Sequence, residues 1–325
     1  MKYRAGPLGS RSAVCYHGGA VVLWWHAMPR LQCETASDLP QSIALHPLAV
    51  SPRSIPTIAM PLPSLDTPRL TASGFPARVE HHAELPSTQD LARQRAAEPD
   101  QALPLLIVAD QQTAGRGRGG NSWWTGPGSL AFSLLLDPAA LGPPRRGTGP
   151  VSLAAGVAIV DVAAPRIAPI RVGLHWPNDV FAEGRKLAGV LVEVLADGRL
   201  IIGVGLNSNN RAADAPPNLQ TKVATLRDLT GREHDHSDLL VELMERLAAR
   251  LRQIASDYAA LAAAFDGLCL QRGQMLTLRL GDRSVSGRCA GIASDGGLLL
   301  ETPAGRKAFY SGALEKSAAN SNTAR

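Results

Sequence analysis

The sequence predicts an α+β protein, in which a mixed β-sheet packed by helices is followed by a small antiparallel β-barrel. Short apolar runs typical of buried strands alternate with helical patterns from residue 78 to residue 206. The segment 237–265 carries leucines at three- and four-residue steps, as an amphipathic helix does. Beyond residue 267, short strands alternate with turns that contain glycine and aspartate. These observations place a domain boundary near residue 265.

Each strand and helix is predicted from its own pattern. Ser87 and Thr88 can cap a helix over residues 89–97, and the apolar segment 151–164 is a helix suited to covering the sheet. Strands of the larger domain are expected over residues 79–85, 105–110, 129–136, 171–176, 186–195 and 200–206. Strands of the barrel are expected over residues 275–280, 284–293, 298–301 and 307–310. The predicted segments are a poorly structured extension (1–75), a main domain (76–265), a barrel (266–316) and a flexible tail (317–325).

The net charge of +5 is a poor guide to function, because most of it lies in the N-terminal extension. Residues 1–75 hold six basic and three acidic residues, together with nine of the 24 prolines, which leave no room for a long helix or strand. The remaining 27 basic and 25 acidic residues nearly cancel, which weakens a general polyanion-binding function. The extension is a tail, a targeting arm or the product of a start codon placed too early, since Met28 and Met60 offer later starts.

Composition and cysteine spacing exclude several classes of protein. Hydrophobic residues at 45% and charged residues at 19% exclude a wholly disordered or collagen-like chain. The four cysteines form no C-x-x-C pair, so neither a zinc site nor a disulfide framework is predicted. No apolar run approaches the roughly 18 residues that a membrane-spanning helix needs. We therefore expect a protein of the reducing cytoplasm.

The segment 112–124, QTAGRGRGGNSWW, holds the densest set of candidate functional residues. Its glycines satisfy G-x-G-x-x-G, but a dinucleotide site needs a tight turn from strand to helix, and this segment leads into an apparent strand. A single copy also argues against an RGG-type nucleic-acid segment. We predict an ordered anion-binding loop, in which glycines let backbone N–H groups approach a phosphate while Arg116 and Arg118 supply forked donors.

Two further constellations follow along the chain. Trp176-Pro-Asn-Asp179 places Asn178 and Asp179 in a turn, and Lys186 starts the next strand in the sequence Lys-Leu-Ala-Gly. Gly203 and Gly205 alternate on a buried strand and leave space for something flat or bulky on one face, with Asn207 at its mouth. Each pattern alone has an ordinary structural explanation.

In combination and order, these motifs resemble the catalytic domain of biotin protein ligases, of the monofunctional type without a DNA-binding domain. The resemblance spans residues 78–316, and the closing strands resemble that family's SH3-like C-terminal barrel. It implies a biotin/lipoate ligase-like fold and an enzyme that activates biotin with ATP and Mg²⁺. The product, biotinyl-5′-AMP, then passes biotin to one lysine of the biotin carboxyl carrier domain of acetyl-CoA carboxylase or a related carboxylase.

The resemblance also implies roles for individual residues. Lys186, Arg116 and Arg118 contact the biotin carboxylate and the phosphate, where negative charge builds up during attack. Asp179 either orients the acceptor lysine or holds Mg²⁺, and no metal ligand is assigned. The biotin- and nucleotide-binding positions implied are Ser87, Thr88, Gln89, Gln112, Gly115, Gly117, Trp123, Asn178, Gly189, Gly203, Gly205 and Asn207. Among them, Trp123 matches the aromatic residue that stacks on adenine, and Gln89 replaces the family's usual Asn.

Several alternatives stay open at this point. A lipoate-protein ligase shares the adenylate chemistry, and a non-catalytic biotin sensor shares the binding pocket. Gly119, Gly120 and Asn121 replace the more basic residues of many bacterial members, which predicts weaker retention of the adenylate. Residues 1–75 show no helix-turn-helix pattern, so no DNA binding of that kind is expected. No membrane association is expected either, because no long apolar run is found. The chain is expected to be a monomer or a homodimer.

Overall fold

A computed structural model describes residues 65–141 and 148–315, together with the backbone of two short strands nearer the N-terminus. The chain divides into two compact units, residues 1–59 and 60–325. In the first unit, β1 (Tyr16–His17) pairs antiparallel with β2 (Ala20–Val21). The rest of the predicted extension up to residue 64 lies outside the described residues. All elements that follow belong to the second unit.

The second unit is built on a seven-stranded mixed sheet. Its strands are β3 (Arg78–Leu85), β4 (Leu105–Gln112), β5 (Leu130–Leu136), β6 (Val172–His175), β7 (Asp179–Ala182), β8 (Arg185–Val194) and β9 (Leu200–Leu206). The strand order is β3-β4-β5-β9-β8-β7-β6. β3 and β4 run parallel, and every other neighbouring pair is antiparallel. The α+β fold with a mixed sheet is therefore confirmed.

Helices cover the two faces of this sheet unequally. They are α1 (Thr67–Ala72), α2 (Thr88–Ala96), α3 (Gly149–Ile167), α4 (Leu226–Thr230), α5 (His236–Ser256) and α6 (Tyr258–Gly267). On one face, buried side chains of β5, β8 and β9 form a single core with α3, α5 and α6. Among the helices of the described residues, α2 is the one that packs on the other face, through Ala92 and Ala96 against Leu105, Ile107 and Leu135. The remainder of that second face carries the cleft described below.

Helix α3 is a longer apolar segment than we expected anywhere in this chain. It is long and apolar enough to cross a membrane by length and composition, although we expected no such segment. Within the fold, 78% of that window is buried against the sheet and α5. A helix that is apolar all round is typical of a protein core, and α3 fills that position.

The C-terminal residues form a separate five-stranded antiparallel sheet. Its strands are β10 (Met275–Leu280), β11 (Arg283–Ile292), β12 (Leu298–Thr302), β13 (Gly305–Phe309) and β14 (Ala313–Glu315). They lie in the order β13-β12-β11-β10-β14. Leu278, Leu298 and Leu300 are fully buried in the same core as α3 and α5. This small antiparallel domain agrees with the predicted barrel.

The structure departs from the predicted elements in several places. Helix α1 lies inside the segment expected to be poorly structured, because Leu70 is apolar and fully buried in the core. The predicted helix over residues 237–265 is two helices, because Asp257 leaves helical geometry (φ −150°) and caps α6 by accepting a hydrogen bond from the Ala260 N–H (3.2 Å). Five further elements are short and were not predicted: strands β1, β2, β7 and β14 and helix α4. The domain boundaries stay predictions.

Candidate active site

A cleft of about 1080 Å³ opens on the same face of the sheet as α2, over the part of that face that α2 does not cover. Its floor is a row of residues that pair directly across neighbouring strands: Gly205 on β9, Gly189 on β8, Asp179 on β7 and His175 on β6. Directly paired residues place their side chains on the same face of a sheet. The floor residues therefore carry no side chain on two strands, and the row ends on a carboxylate and an imidazole.

Gly203 and Gly205 of β9 must be glycines, because other side chains of the protein approach their backbone closely. A Cβ atom at Gly205 would lie 2.2 Å from the indole Cε2 of Trp123, and one at Gly203 would lie 2.4 Å from Gln89 Oε1. Ordinary contacts between such atoms begin about 1 Å further out. The alternation of glycines noted in the sequence thus makes room for two side chains of the protein itself, Trp123 and Gln89.

One end of the cleft is a buried polar pocket at the start of α2. The Thr88 N–H and hydroxyl both donate to Gln112 Oε1, at 2.8 and 3.1 Å. Gln112 is oriented by its own Nε2, which donates to Thr125 Oγ1 at 3.2 Å. The hydroxyl of Ser133 lies 2.8 Å from Thr88 Oγ1 and 3.1 Å from Gln89 Oε1. These bonds fix the pocket in the absence of a ligand.

Four polar atoms in this cleft are buried and have no hydrogen-bond partner among the described residues: Ser87 Oγ, Gln89 Nε2, Trp123 Nε1 and Asp179 Oδ1. Of these, Asp179 Oδ1 is ion-paired with Lys186 Nζ at 2.8 Å. Leaving a buried polar group unpaired costs about 1–3 kcal/mol. Such groups are rare in folded proteins and call for an explanation at each site. Ser87 and Gln89 line the cleft, so a polar ligand bound there would satisfy them.

The glycine-rich loop is an ordered hairpin. The Gly117 N–H donates to the Asn121 carbonyl at 2.7 Å, and the Trp123 N–H donates to the Gly115 carbonyl at 2.8 Å. Asn121 Nδ2 closes the tip by donating to the Arg118 carbonyl at 2.7 Å. Gly115 lies beneath the hairpin, where a Cβ would meet the Trp123 carbonyl at 2.6 Å, while Gly117 and both arginines line the cleft.

Arg116 is held in place by α2. Its Nε donates to the Asp90 carboxylate at 2.7 Å, and Asp90 also accepts a hydrogen bond from Arg93. Burial disfavours the charged form of Asp90, but the hydrogen bonds from Arg116 and Arg93 outweigh it and lower the pKa of Asp90 below its usual value. The Arg116–Asp90 contact therefore connects the glycine-rich loop to α2, the helix at whose start the polar pocket lies.

Lys186 lies at the opposite end of the cleft from the polar pocket. Its Nζ lies 2.8 Å from Asp179 Oδ1 and 5.3 Å from the centre of the Trp123 ring. An ammonium over an aromatic face is attracted by the ring's electrons. Gly189 leaves the floor open beneath them, since a Cβ there would lie 3.0 Å from Lys186 Cε. The cation therefore lies between a carboxylate and an indole, at the wall of the cleft.

The Trp176-Pro-Asn-Asp179 turn is anchored to the C-terminal part of the chain. Trp176 is buried; its backbone N–H donates to Gln271 Oε1 at 2.9 Å and its Nε1 donates to the Gly296 carbonyl at 3.0 Å. Gln271 Nε2 returns a bond to the Trp176 carbonyl at 3.3 Å. Asn178 fastens the other side of the turn by donating to the Val190 carbonyl at 2.8 Å.

Asn207 lies behind the cleft and does not line it. Its Nδ2 donates to the Lys186 carbonyl at 3.2 Å, and its Oδ1 accepts from Asn210 Nδ2 at 3.0 Å. Gly115 does not line the cleft either, because it packs against the Trp123 carbonyl. The other predicted positions line the cleft together, namely Ser87, Thr88, Gln89, Gln112, Arg116, Gly117, Arg118, Trp123, Asn178, Asp179, Lys186, Gly189, Gly203 and Gly205.

Several cleft residues were not found from sequence. Ser133 is polar within the apolar run of β5, which is the one signal that could have singled it out. His175 stacks on Phe181, with ring centroids 4.2 Å apart and planes 16° apart. Arg279, Gly281, Gly312, Ala313 and Leu314 reach the cleft from the C-terminal sheet, about 70 residues or more beyond the nearest motif, so only the tertiary fold reveals them.

Within the described residues, no group of three or more His, Cys, Asp or Glu side chains could hold a metal ion.

The mixed sheet carries one cleft with a buried polar pocket at one end and cations at the other, an arrangement suited to a ligand with a polar head and an anionic end. Residues 83–207 match the model of the biotin/lipoate A/B protein ligase family, and residues 273–315 match the biotin protein ligase C-terminal domain. The chain belongs to the biotin protein ligase family.

Individual relatives agree with this assignment. The biotin–[acetyl-CoA-carboxylase] ligase of Mycobacterium tuberculosis is 35% identical over 64% of this chain and 77% of its own length. The bifunctional ligase/repressor BirA of Bacillus subtilis is 31% identical over 72% of this chain and 73% of its own. The biotin protein ligase from Aquifex aeolicus, solved in complex with biotin and ATP, superposes with a TM-score of 0.65 at 30% identity, covering 74% of this chain and 99% of that one.

Proposed function

We propose that this chain activates biotin with ATP to biotinyl-5′-AMP and transfers the biotin to a lysine of a carboxylase carrier domain. Membership of the family supports a biotin ligase over both a lipoate ligase and a non-catalytic sensor. The observation that carries the proposal is the division of one cleft into a buried, partly unpaired polar pocket and a cationic wall, with a glycine floor between them.

The polar pocket suits the head of biotin. The ureido ring is neutral and presents one carbonyl acceptor and two N–H donors, which can pair with Ser87 Oγ, Gln89 and Thr88. The unpaired Gln89 Nε2 and Ser87 Oγ would then be satisfied. Beyond the ring, the Trp123 indole, which lies against Gly205, offers apolar surface for the thiophane ring and valeryl chain.

The cationic wall suits the reacting carboxylate and phosphate. In the first step a carboxylate oxygen bonds to the α-phosphorus of ATP while the bond from that phosphorus to the β-phosphate oxygen breaks, releasing pyrophosphate. Two anions must approach, so fixed positive charge lowers the barrier. Lys186, Arg116 and Arg118 supply it from the wall and the loop. Trp123 offers the aromatic face on which adenine can stack, and Asn178 lies at the same side of the cleft.

Mg²⁺ fits this cleft only as a partner of the nucleotide. The described residues hold no metal-binding cluster, and Asp179 is already paired with Lys186 at 2.8 Å. Bound to triphosphate oxygens, the ion would neutralise charge on the leaving pyrophosphate.

The second step joins the acceptor lysine to the acyl carbon. Asp179 is the carboxylate beside the reacting groups, and we assign it to orienting the acceptor amine. The named substrates of relatives make acetyl-CoA carboxylase, or a related carboxylase, the source of the carrier domain. Absence of DNA binding, a monomeric or homodimeric state and a cytoplasmic location stay predictions.

Pyrophosphate release tests the proposed function directly. Purified protein with ATP and Mg²⁺ should release pyrophosphate on addition of biotin and not on addition of lipoate. Release with lipoate at an equal rate would replace the proposal with a lipoate ligase. Tight biotin binding without any release would replace it with a sensor.

A further inference from the structure

His175 occupies the last position of the row that forms the cleft floor. It pairs directly with Asp179 across β6 and β7, so the two side chains project on the same face of the sheet. Its ring is held by stacking on Phe181 at 4.2 Å. Both His175 and Asp179 line the cleft. An imidazole is thus fixed beside the Lys186–Asp179 pair, at the end of the groove where the acyl group would be transferred.

The environment of His175 keeps its imidazole neutral near pH 7. Burial lowers the pKa of His175, and Lys186 acts in the same direction, while Asp179 opposes them. A further cation of the same cleft, Arg279, comes from the C-terminal sheet. The ring is half-buried, which leaves one edge accessible from the cleft. A neutral imidazole at this place is able to accept a proton.

We propose that His175 is a catalytic residue of the transfer step, in which it accepts the proton that the acceptor lysine nitrogen loses on forming the amide. Asp179 is a poorer choice for this task, because Lys186 Nζ already lies 2.8 Å from its carboxylate. The inference rests on the proposed function, since it concerns the second half of that reaction.

The acceptor amine attacks in its neutral form and bonds to the acyl carbon of biotinyl-5′-AMP. The bond between that carbon and the phosphate oxygen breaks, and AMP leaves with the electron pair. The new C–N bond makes the nitrogen positive and acidic, and its proton passes to the imidazole of His175. The imidazolium then returns the proton to solvent.

Separate measurement of the two half-reactions tests this assignment. The His175→Gln variant keeps size and polarity but cannot accept a proton. Transfer from purified biotinyl-5′-AMP to a recombinant biotin carrier domain should fall on the order of 100-fold, as loss of a general base does. Pyrophosphate release with biotin and ATP should stay within about threefold of wild type, because that step moves no proton at His175. His82→Gln on the distant edge strand β3 is the matched control and should leave both rates unchanged.

The pH profile separates proton transfer from a structural role. Protonation removes the base, so transfer by the wild-type protein should fall as pH drops through the imidazole range, beyond the fall due to protonation of the lysine. The His175→Gln variant should lack this extra fall. Equal transfer by variant and wild type, or an unchanged pH profile with a uniform loss in both half-reactions, would overturn the proposal. Absence of biotinyl-5′-AMP formation by the wild-type protein would instead overturn the proposed function.

Discussion

The absence of a Cβ atom at two positions of β9 determines the shape of the cleft. Gly203 and Gly205 lie on the open face of the sheet, where Gln89 and Trp123 approach to distances that no side chain tolerates. The same two side chains border the groove proposed for biotin. A change at either glycine therefore moves the walls of the site, while the opposite face of the strand stays packed against the core.

Substitution Gly205→Val should weaken biotin activation more than it weakens the fold. The added side chain displaces the Trp123 indole, so we expect biotin-dependent pyrophosphate release to fall at least about tenfold, with a much smaller loss in the free energy of unfolding than a core mutation causes. Steady-state kinetics and urea denaturation measure the two effects. Gly267→Ala, at a glycine with open space around its Cβ position, is the control. Unaltered kinetics would show that Trp123 does not border the substrate.

The Asp90–Arg116 contact predicts a pH dependence of defined sign. Because the pKa of Asp90 is lowered in the folded protein, the contact stabilises the fold above the unfolded value of 3.8 and is lost as pH falls through the folded value. The difference in unfolding free energy between wild type and Asp90→Asn should be constant from pH 7 to about pH 4 and shrink below that. Denaturation at several pH values measures it. A difference that grows on acidification would refute the contact.

Most charged residues and glycines of the cleft could be predicted from the sequence, whereas the isolated polar residues Ser133 and His175 could not. Arg116, Arg118 and Lys186 stand in short motifs whose chemistry is specific. Ser133 and His175 stand alone in strands, and their place in the cleft depends on pairing with β9 and β7. Asn207 shows the converse, since it follows a glycine motif but bonds to the Lys186 carbonyl from behind.

At the scale of elements, the turn between β6 and β7 depends on the C-terminal segment. The Trp176 N–H and carbonyl both bond to Gln271, which lies 95 residues away in sequence. No periodicity connects such distant residues, so the sequence predicted the turn but not its anchor. The helix break at Asp257 was missed for a similar reason, because leucine spacing continues up to it and the cap is a single side chain.

Loss of the Gln271 side chain should loosen this turn. Gln271→Ala leaves the buried Trp176 N–H unpaired, for which we expect a loss of about 1–3 kcal/mol in the free energy of unfolding. Biotin-dependent pyrophosphate release should fall several-fold, because Asn178 and Asp179 are carried by the same turn. Gln274→Ala, three residues on and exposed, is the matched control. Equal stability of the two variants would show that the anchor contributes nothing.

At the scale of the whole molecule, the cleft is built within the unit of residues 60–325. Its lining comes from the mixed sheet, the glycine-rich loop and the C-terminal sheet, which are parts of one unit. The two family models also match inside it, over residues 83–207 and 273–315. Residues 1–75 account for +3 of the net charge of +5, so the net charge carries no information about the site.

A chain that starts at Met60 should therefore retain both half-reactions. We expect rates of adenylate formation and transfer within about twofold of the full chain, since no lining residue is removed. Both rates are measured on the two purified proteins under the same conditions. A large loss of either rate would assign residues 1–59 a part in catalysis.

The central claim is that one cleft forms biotinyl-5′-AMP by means of the cation at Lys186. Its most direct test is a single-turnover measurement of biotinyl-5′-AMP formed from biotin, ATP and Mg²⁺ by the wild-type protein, Lys186→Met and the exposed control Lys307→Met. We predict rapid formation by wild type and control, and a loss on the order of 100- to 1000-fold in Lys186→Met, as removal of a charge-stabilising group causes. Formation of the adenylate by Lys186→Met at the wild-type rate would contradict the claim.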